Sequence, residues 1–95
     1  MRTWDHSHLA GGPVDGVFIA IIARFPSVRI ERLAVTHPGD DDNVYWIRTD
    51  SVEVQVDTCP GGRPPYFVED DYTPVVAVSD TAALYEILLQ RLTAR

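Results

Sequence analysis

The chain has 95 residues, of which 45% are hydrophobic and 23% are charged, and its formal net charge is −6. These values are typical of one small globular domain and argue against disorder along the whole chain. The negative charge argues against a nucleic-acid partner, because phosphate neutralisation requires clustered positive charge. The longest apolar run, Val17 to Ala23, is too short for a bilayer, which needs about 20 residues. We therefore expect a cytoplasmic protein that does not enter the membrane.

The cysteine and lysine content restricts the chemistry further. Cys59 is the only cysteine, so the chain can form neither an internal disulfide nor a zinc site built from cysteines alone. All eight basic residues are arginine, a bias typical of GC-rich bacterial genomes. The absence of lysine removes Schiff-base and lysine-nucleophile chemistry from consideration. We expect no cofactor.

A loose arm and a helix are predicted at the start of the chain. Residues 1–12 are polar and then glycine-rich, which predicts a loose N-terminal arm ahead of a single domain over residues 13–95. Pro13 suits the first helical position, where its missing N–H has no intrahelical partner. Apolar residues then recur at helical spacing as far as Phe25, and Pro26 ends the pattern. The sequence therefore predicts a helix from Pro13 to Phe25.

The first strand is predicted from Val28 to Thr36, but its apolar alternation changes phase between Ile30 and Leu33. One inserted residue near Glu31, as in a β-bulge, would bring both halves onto one face. Residues 37–43 are rich in Asp, Gly and Pro, and they predict a turn.

A hairpin follows, with strands predicted from Val44 to Thr49 and from Val52 to Thr58 and a two-residue loop between them. Pairing Thr49 with Val52 fixes the register of the whole hairpin. The pairs predicted for the core face are Ile47 with Val54 and Tyr45 with Val56. The pairs predicted for the opposite face are Arg48 with Glu53, Trp46 with Gln55, and Val44 with Asp57.

The next segment predicts shorter elements. Residues 59–65 contain three prolines and two glycines, which predict an irregular connection. Tyr66 to Val68 predicts a short strand, and residues 69–71 predict an acidic turn. Thr73 to Val78 predicts a last strand, which Pro74 confines to a strand start or a sheet edge.

A C-terminal helix completes the predicted fold. Ser79 or Asp80 is expected to cap it, and its buried stripe is predicted to consist of Leu84, Ile87, Leu88 and Leu92. The fold class predicted is α+β, with two layers and the order α-β-β-β-β-β-α. The sheet is expected to be a mainly antiparallel meander of four to five strands.

Four short motifs invite a chemical interpretation, and each is better explained structurally. Cys59 and Arg63 lack the five-residue spacing and the following helix of a phosphatase loop. Asp5, His6 and His8 are residue types that can bind a metal, but they lie in the predicted arm, where no preorganised site is expected. Residues 40–43 lack the glycine and the late glutamate of a calcium loop. The Gly61-Gly62 pair lacks the helix and lysine of a phosphate-binding loop.

A collective surface is the stronger candidate. Trp46 is predicted to project from the outer sheet face among charged residues, with acidic turns nearby. Tyr, Trp and Arg are enriched at binding hot spots, and acidic surroundings steer a basic partner. The residues predicted to contact a partner are Trp46, Arg48, Glu53, Asp57, Tyr66, Asp70 and Asp71. A solvated acidic face, with Trp46 covered by the arm or the first helix, is the competing interpretation.

The chain is small and acidic and shows no catalytic motif. In this general character it is similar to bacterial immunity or inhibitor proteins that neutralise a toxin. The likeness implies a non-enzymatic binding module and assigns no residue a role, and the acidic turns and outer face indicate a partner protein with a basic surface. Two alternatives remain. One is a small enzyme or ligand-binding domain with a pocket near Cys59, His37 and Tyr66. The other is a homodimer joined through the open sheet face or the edge near Pro74.

Overall fold

A computed structural model describes residues 12–33, 43–71 and 73–93. Its elements are α1 (Val14–Arg24), β1 (Arg29–Arg32), β2 (Val44–Arg48), β3 (Glu53–Cys59), β4 (Arg63–Asp70), β5 (Val76–Val78) and α2 (Thr81–Thr93). This order confirms the predicted α+β class and the predicted α-β-β-β-β-β-α arrangement. The arm predicted over residues 1–12 lies outside the described residues except for Gly12, so it stays a prediction. The same holds for the turn predicted over residues 37–43, of which only Asn43 is described.

The five strands form one antiparallel sheet in the order β1-β2-β3-β4-β5. The β2–β3 hairpin has the predicted register, with Ile47 opposite Val54 and Trp46 opposite Gln55. The Thr49 N–H donates to the Val52 carbonyl over 2.8 Å, which closes the two-residue loop. The register of this hairpin was predictable because a short loop fixes it and alternate apolar residues must share one buried face.

The prediction of a β-bulge in β1 is wrong. The pairing of β1 with β2 runs without a shift from Arg29 opposite Arg48 to Arg32 opposite Tyr45. The Leu33 N–H then donates to the Val44 carbonyl over 2.9 Å, which continues the same register. Leu33 consequently lies on the face opposite Ile30, half-buried rather than in the core. The remaining residues of the predicted strand, 34–36, lie outside the described residues.

Strand β4 is longer than predicted at both ends: it begins at Arg63, within the predicted irregular connection, and it runs to Asp70, where an acidic turn was predicted. The two prolines at positions 64 and 65 are accommodated where the β3–β4 register shifts, between the Cys59–Arg63 and Asp57–Phe67 pairs. Strand β5 pairs only with residues 66–68 of β4, so the prolines lie beyond its end. Missing N–H donors are tolerated at such irregular or unpaired positions. Strand β5 is an edge strand among the described strands, as predicted, but it begins at Val76 rather than at Thr73, so Pro74 precedes it.

Both helices bury their apolar stripes in one hydrophobic cluster with alternate residues of the strands. The fully buried members of this core with the largest side chains include Tyr45, Tyr66, Phe18, Ile21, Ile30, Ile47, Leu84 and Leu88. Helix α1 begins directly after Pro13. Helix α2 is capped by Asp80, whose Oδ1 accepts the Ala83 N–H over 2.7 Å. The sheet thus has a core face under the helices and an opposite face that we call the outer face.

The turn between β3 and β4 anchors the start of α1. Gly61 and Gly62 have φ angles of 77° and 71°, a region that glycine enters without steric cost. The Gly62 carbonyl accepts the Val14 N–H over 3.2 Å and the Tyr66 hydroxyl over 3.0 Å. One carbonyl oxygen therefore links the first helix, the turn and the buried side of β4.

Candidate functional site

The outer face is built from alternate residues of neighbouring strands, which the register aligns in rows. One row runs from Glu31 through Trp46 and Gln55 to Glu69. The residues that form the outer face of β1 to β4 are Arg29, Glu31, Val44, Trp46, Arg48, Glu53, Gln55, Asp57, Phe67 and Glu69. Each of them is half-buried or exposed. The face is therefore a mixed aromatic and charged surface with Trp46 near its centre.

Trp46 is half-buried, and Arg48 covers part of its ring. The Arg48 guanidinium carbon lies 5.8 Å from the ring centroid, within the range of a cation–π contact. Arg48 also donates to the Glu53 carboxylate, with 2.5 Å between Nε and Oε1, and forms an ion pair with Glu31. Two carboxylates thus neutralise the one guanidinium beside the tryptophan, so the local charge on this part of the face is negative.

A second part of the face joins Asp57 to an exposed aromatic ring. Gln55 donates through Nε2 to Asp57 Oδ1 over 2.9 Å, which fixes the orientation of both side chains. Asp57 is paired across the sheet with Phe67, whose side chain is 39% exposed. Phe67 was not among the predicted contact residues. The alternation of buried Tyr66 and Val68 would have placed it on the outer face, because neighbouring strand residues point to opposite faces.

An acidic depression of about 190 Å³ lies beside this surface, lined by Glu53, Gln55, Glu69, Asp70 and Asp71. A neighbouring depression at the β2–β3 loop is also lined by Arg48, Glu53 and Asp71. The structure therefore brings Trp46, Arg48, Glu53, Asp57 and Asp71, five of the predicted contact residues, to one side of the molecule. Glu69 joins them, because it continues the row of Trp46 and Gln55.

Asp70 is not positioned as a freely accessible contact residue. It pairs across the sheet with Val54 and belongs to the core face, and its side chain is only 8% exposed. Its carboxylate accepts the Thr73 N–H and hydroxyl, each over 2.8 Å, and lies 3.7 Å from Arg91 of α2. Asp70 therefore connects the end of β4 to the second helix. Its alternation with Tyr66 and Val68 is the sequence signal that places it on this side.

Tyr66 is also on the core face and is fully buried, so it cannot contact a partner directly. Burial, and then the charge of nearby Cys59, raises the pKa of the Tyr66 phenol above its usual 10.0. The raised pKa means that the folded protein holds this proton at pH values where the unfolded chain has lost it. The contribution of Tyr66 to stability is therefore complete below pH 10.0 and is lost as the pH rises further.

A Tyr66→Phe variant tests whether the buried Tyr66 phenol stabilises the protein and has a raised pKa. At neutral pH it should be less stable by about 1 kcal/mol, because the hydrogen bond to the Gly62 carbonyl is lost. Above pH 10 the difference from the parent should shrink, because ionisation penalises only the protein that retains the phenol. Urea unfolding between pH 8 and 11 measures this, with Cys59→Ser in both proteins to remove thiol titration. A difference that stays constant across this range would contradict the assignment.

The residues of the alternative pocket are only partly brought together. Cys59 is a free, half-buried thiol at the end of β3, directly opposite Arg63. The hydroxyl of Tyr66 is already bonded to Gly62, and His37 lies outside the described residues. The described residues therefore place a thiol and a guanidinium opposite each other on neighbouring strands.

Within residues 12–33, 43–71 and 73–93, no three His, Cys, Asp or Glu side chains are grouped to hold a metal ion. Asp5, His6, His8 and residues 40–42 lie outside these ranges. Neither described helix is long and apolar enough to cross a membrane.

Comparison with known proteins gave no match among family models, curated proteins or solved structures. The class that the fold defines is a two-layer α+β domain with an antiparallel five-stranded meander.

Proposed function

We propose that the chain is a non-enzymatic, cytoplasmic protein-binding module of the inhibitor or immunity type, whose outer face binds a protein with a basic surface. The observation that carries the proposal is Trp46, a large aromatic side chain left half-buried in the middle of a charged sheet face. A large aromatic residue contributes most to binding when surrounding groups exclude water from it. Glu31 and Gln55 lie beside Trp46 on the neighbouring strands, and the Arg48 guanidinium lies near its ring.

The charges around Trp46 favour a basic partner. Arg48 is already paired with Glu31 and Glu53, whereas Glu69 and Asp71 have no ion-pair partner among the described residues. An incoming Arg or Lys can therefore pair with carboxylates that no residue of the described chain neutralises. Such complementarity raises the association rate and selects against acidic partners.

The Trp46→Ala substitution tests whether Trp46 anchors the partner. We expect it to weaken binding to the partner by about 2 kcal/mol or more while the fold is retained, because truncation of a central aromatic anchor has costs of this size. The partner is first captured from the native host with the parent protein and then purified. Titration calorimetry with the purified partner gives the affinity, and far-UV circular dichroism checks the fold.

Tyr85→Ala is the matched control, because Tyr85 is also a half-buried aromatic residue but lies on α2 in the helix layer. It should bind like the parent. The association rate of the parent should also fall steeply with added salt, as expected for steering by exposed carboxylates. Equal affinities for the parent and Trp46→Ala would refute the proposal. Loss of the fold in Trp46→Ala would instead make the residue structural, and would refute it as well.

A further inference from the structure

We propose that the outer face binds an arginine side chain of the partner protein between Trp46 and Phe67, where its guanidinium group pairs with Asp57. The inference rests on the proposed function, because it assigns the chemistry of one partner residue at the same face. It depends on the sheet register, on the hydrogen bond from Gln55 to Asp57 and on the exposure of Phe67. These four residues form what we call the aromatic slot.

The sheet register places the two aromatic side chains on either side of β3. Asp57 of β3 is directly opposite Phe67 of β4. Trp46 of β2 is opposite Gln55, so it is a diagonal neighbour of Asp57. Adjacent strands are about 5 Å apart, which separates β2 from β4 by about 10 Å. A cation contacts an aromatic ring within about 6 Å of its centroid, so a cation above Asp57 is within reach of both rings.

The Asp57 carboxylate is oriented but not neutralised. Gln55 Nε2 donates to Asp57 Oδ1 over 2.9 Å, and Oδ2 accepts no hydrogen bond from the described part of the chain. None of the described arginines forms an ion pair with Asp57. Asp57 is half-buried, and charges in such positions are screened less by salt than fully exposed ones. Asp57 therefore offers a fixed negative charge to an incoming cation.

The side of Trp46 that faces Asp57 is available to such a cation. Arg48, two residues after Trp46 in β2, lies with its guanidinium carbon 5.8 Å from the ring centroid. Val44, two residues before Trp46, is opposite Asp57. Arg48 and Asp57 therefore lie on opposite sides of Trp46 along the strand direction. On the far side of Asp57, Phe67 is 39% exposed.

An arginine fits the aromatic slot better than a lysine. The guanidinium group is planar, stacks on aromatic faces and has five N–H donors, so it can contact a ring while it donates to Asp57. The ammonium group of lysine is a compact and strongly hydrated charge, and it loses more hydration in a partly covered site. The same face already contains such an arrangement, because Arg48 lies near the Trp46 ring while it pairs with Glu31 and Glu53.

Labelled peptides test the aromatic slot. Fluorescence anisotropy measures the affinity of the parent protein for hexa-arginine and hexa-lysine peptides of equal charge, at about 0.15 M salt. We expect the parent to bind hexa-arginine about threefold or more tightly than hexa-lysine, because only the guanidinium group both stacks and pairs.

Two variants separate the charge from the ring. Asp57→Asn keeps the Oδ1 atom that accepts from Gln55 but removes the charge, and it should weaken hexa-arginine binding about fivefold or more. Phe67→Leu keeps an apolar side chain but removes the ring, and it should lower the preference for hexa-arginine over hexa-lysine. Circular dichroism checks that both variants remain folded.

Glu86→Gln is the matched control, because it also removes one negative charge but lies exposed on α2 in the helix layer. It should change the hexa-arginine affinity by less than about twofold, since distant surface charges are screened at this salt concentration. Equal losses for Asp57→Asn and Glu86→Gln would overturn the slot. A parent protein without preference for hexa-arginine would overturn it too.

These results are distinguishable from a failure of the proposed function. A partner whose binding depends on Trp46, together with peptides that do not distinguish Asp57→Asn from Glu86→Gln, would refute the arginine slot alone. Arginine-selective peptide binding, together with a partner that binds Trp46→Ala as tightly as the parent, would refute the proposed function instead.

Discussion

Phe18→Ala should lower the free energy of unfolding by about 3–5 kcal/mol, the largest effect that we expect from one substitution. Phe18 is fully buried in the core, and its ring centroid lies 4.7 Å from that of Tyr45 at an interplanar angle of 51°. The substitution removes this contact between α1 and β2 and leaves a cavity that the sheet cannot close. Small domains have stabilities of about 5–15 kcal/mol, so the loss is a large fraction of the total.

Urea unfolding of the parent and the variant measures this loss as a decrease in the transition midpoint. Ile19→Ala is the control, because Ile19 is the next residue in the same helix and is 53% exposed. It should change the stability by no more than about 0.5 kcal/mol. Similar losses for the two variants would show that Phe18 is not the contact that holds α1 to the sheet.

Gly12→Ala should destabilise the protein by about 3 kcal/mol, near the upper end of the usual cost of overpacking. A Cβ atom at Gly12 would overlap the Gly61 carbonyl oxygen and lie 3.0 Å from the carbonyl carbon. Both atoms belong to the backbone, so no side-chain rotation can relieve the overlap. The β3–β4 turn would have to move away from α1, which would strain the hydrogen bond from Val14 to Gly62.

Gly16→Ala is the matched control, because it is the same substitution four residues later in the chain. A Cβ atom at Gly16 meets nothing within 4 Å, and alanine is favoured over glycine inside a helix by about 0.5–1 kcal/mol. The two variants should therefore shift the melting temperature in opposite directions. A neutral or stabilising Gly12→Ala would mean that α1 does not begin against the turn as described.

The placement of the candidate contact residues depends on both the local sequence pattern and the tertiary structure. The alternation in β2 and β3 was enough to place Trp46, Arg48, Glu53 and Asp57 on one face, because a short loop fixes the register. The same reasoning would have placed Asp70 on the core face if β4 had been extended beyond Val68. The acidic composition of residues 69–71 predicted a turn instead, since composition carries no information about which face a residue occupies.

The sequence by itself determined the two helices, a cap for α2 at Ser79 or Asp80, the β2–β3 register and the α+β class, and the structure then showed that the cap is Asp80. All of these depend on residues close together in the chain, where periodicity and turn chemistry act directly. Only the tertiary structure decided the pairing of β1, the contact of Arg91 with Asp70, and the convergence of Val14 and Tyr66 on the Gly62 carbonyl. Each of these interactions joins residues of separate elements, and the periodicity within one segment does not predict which residues of another segment it contacts.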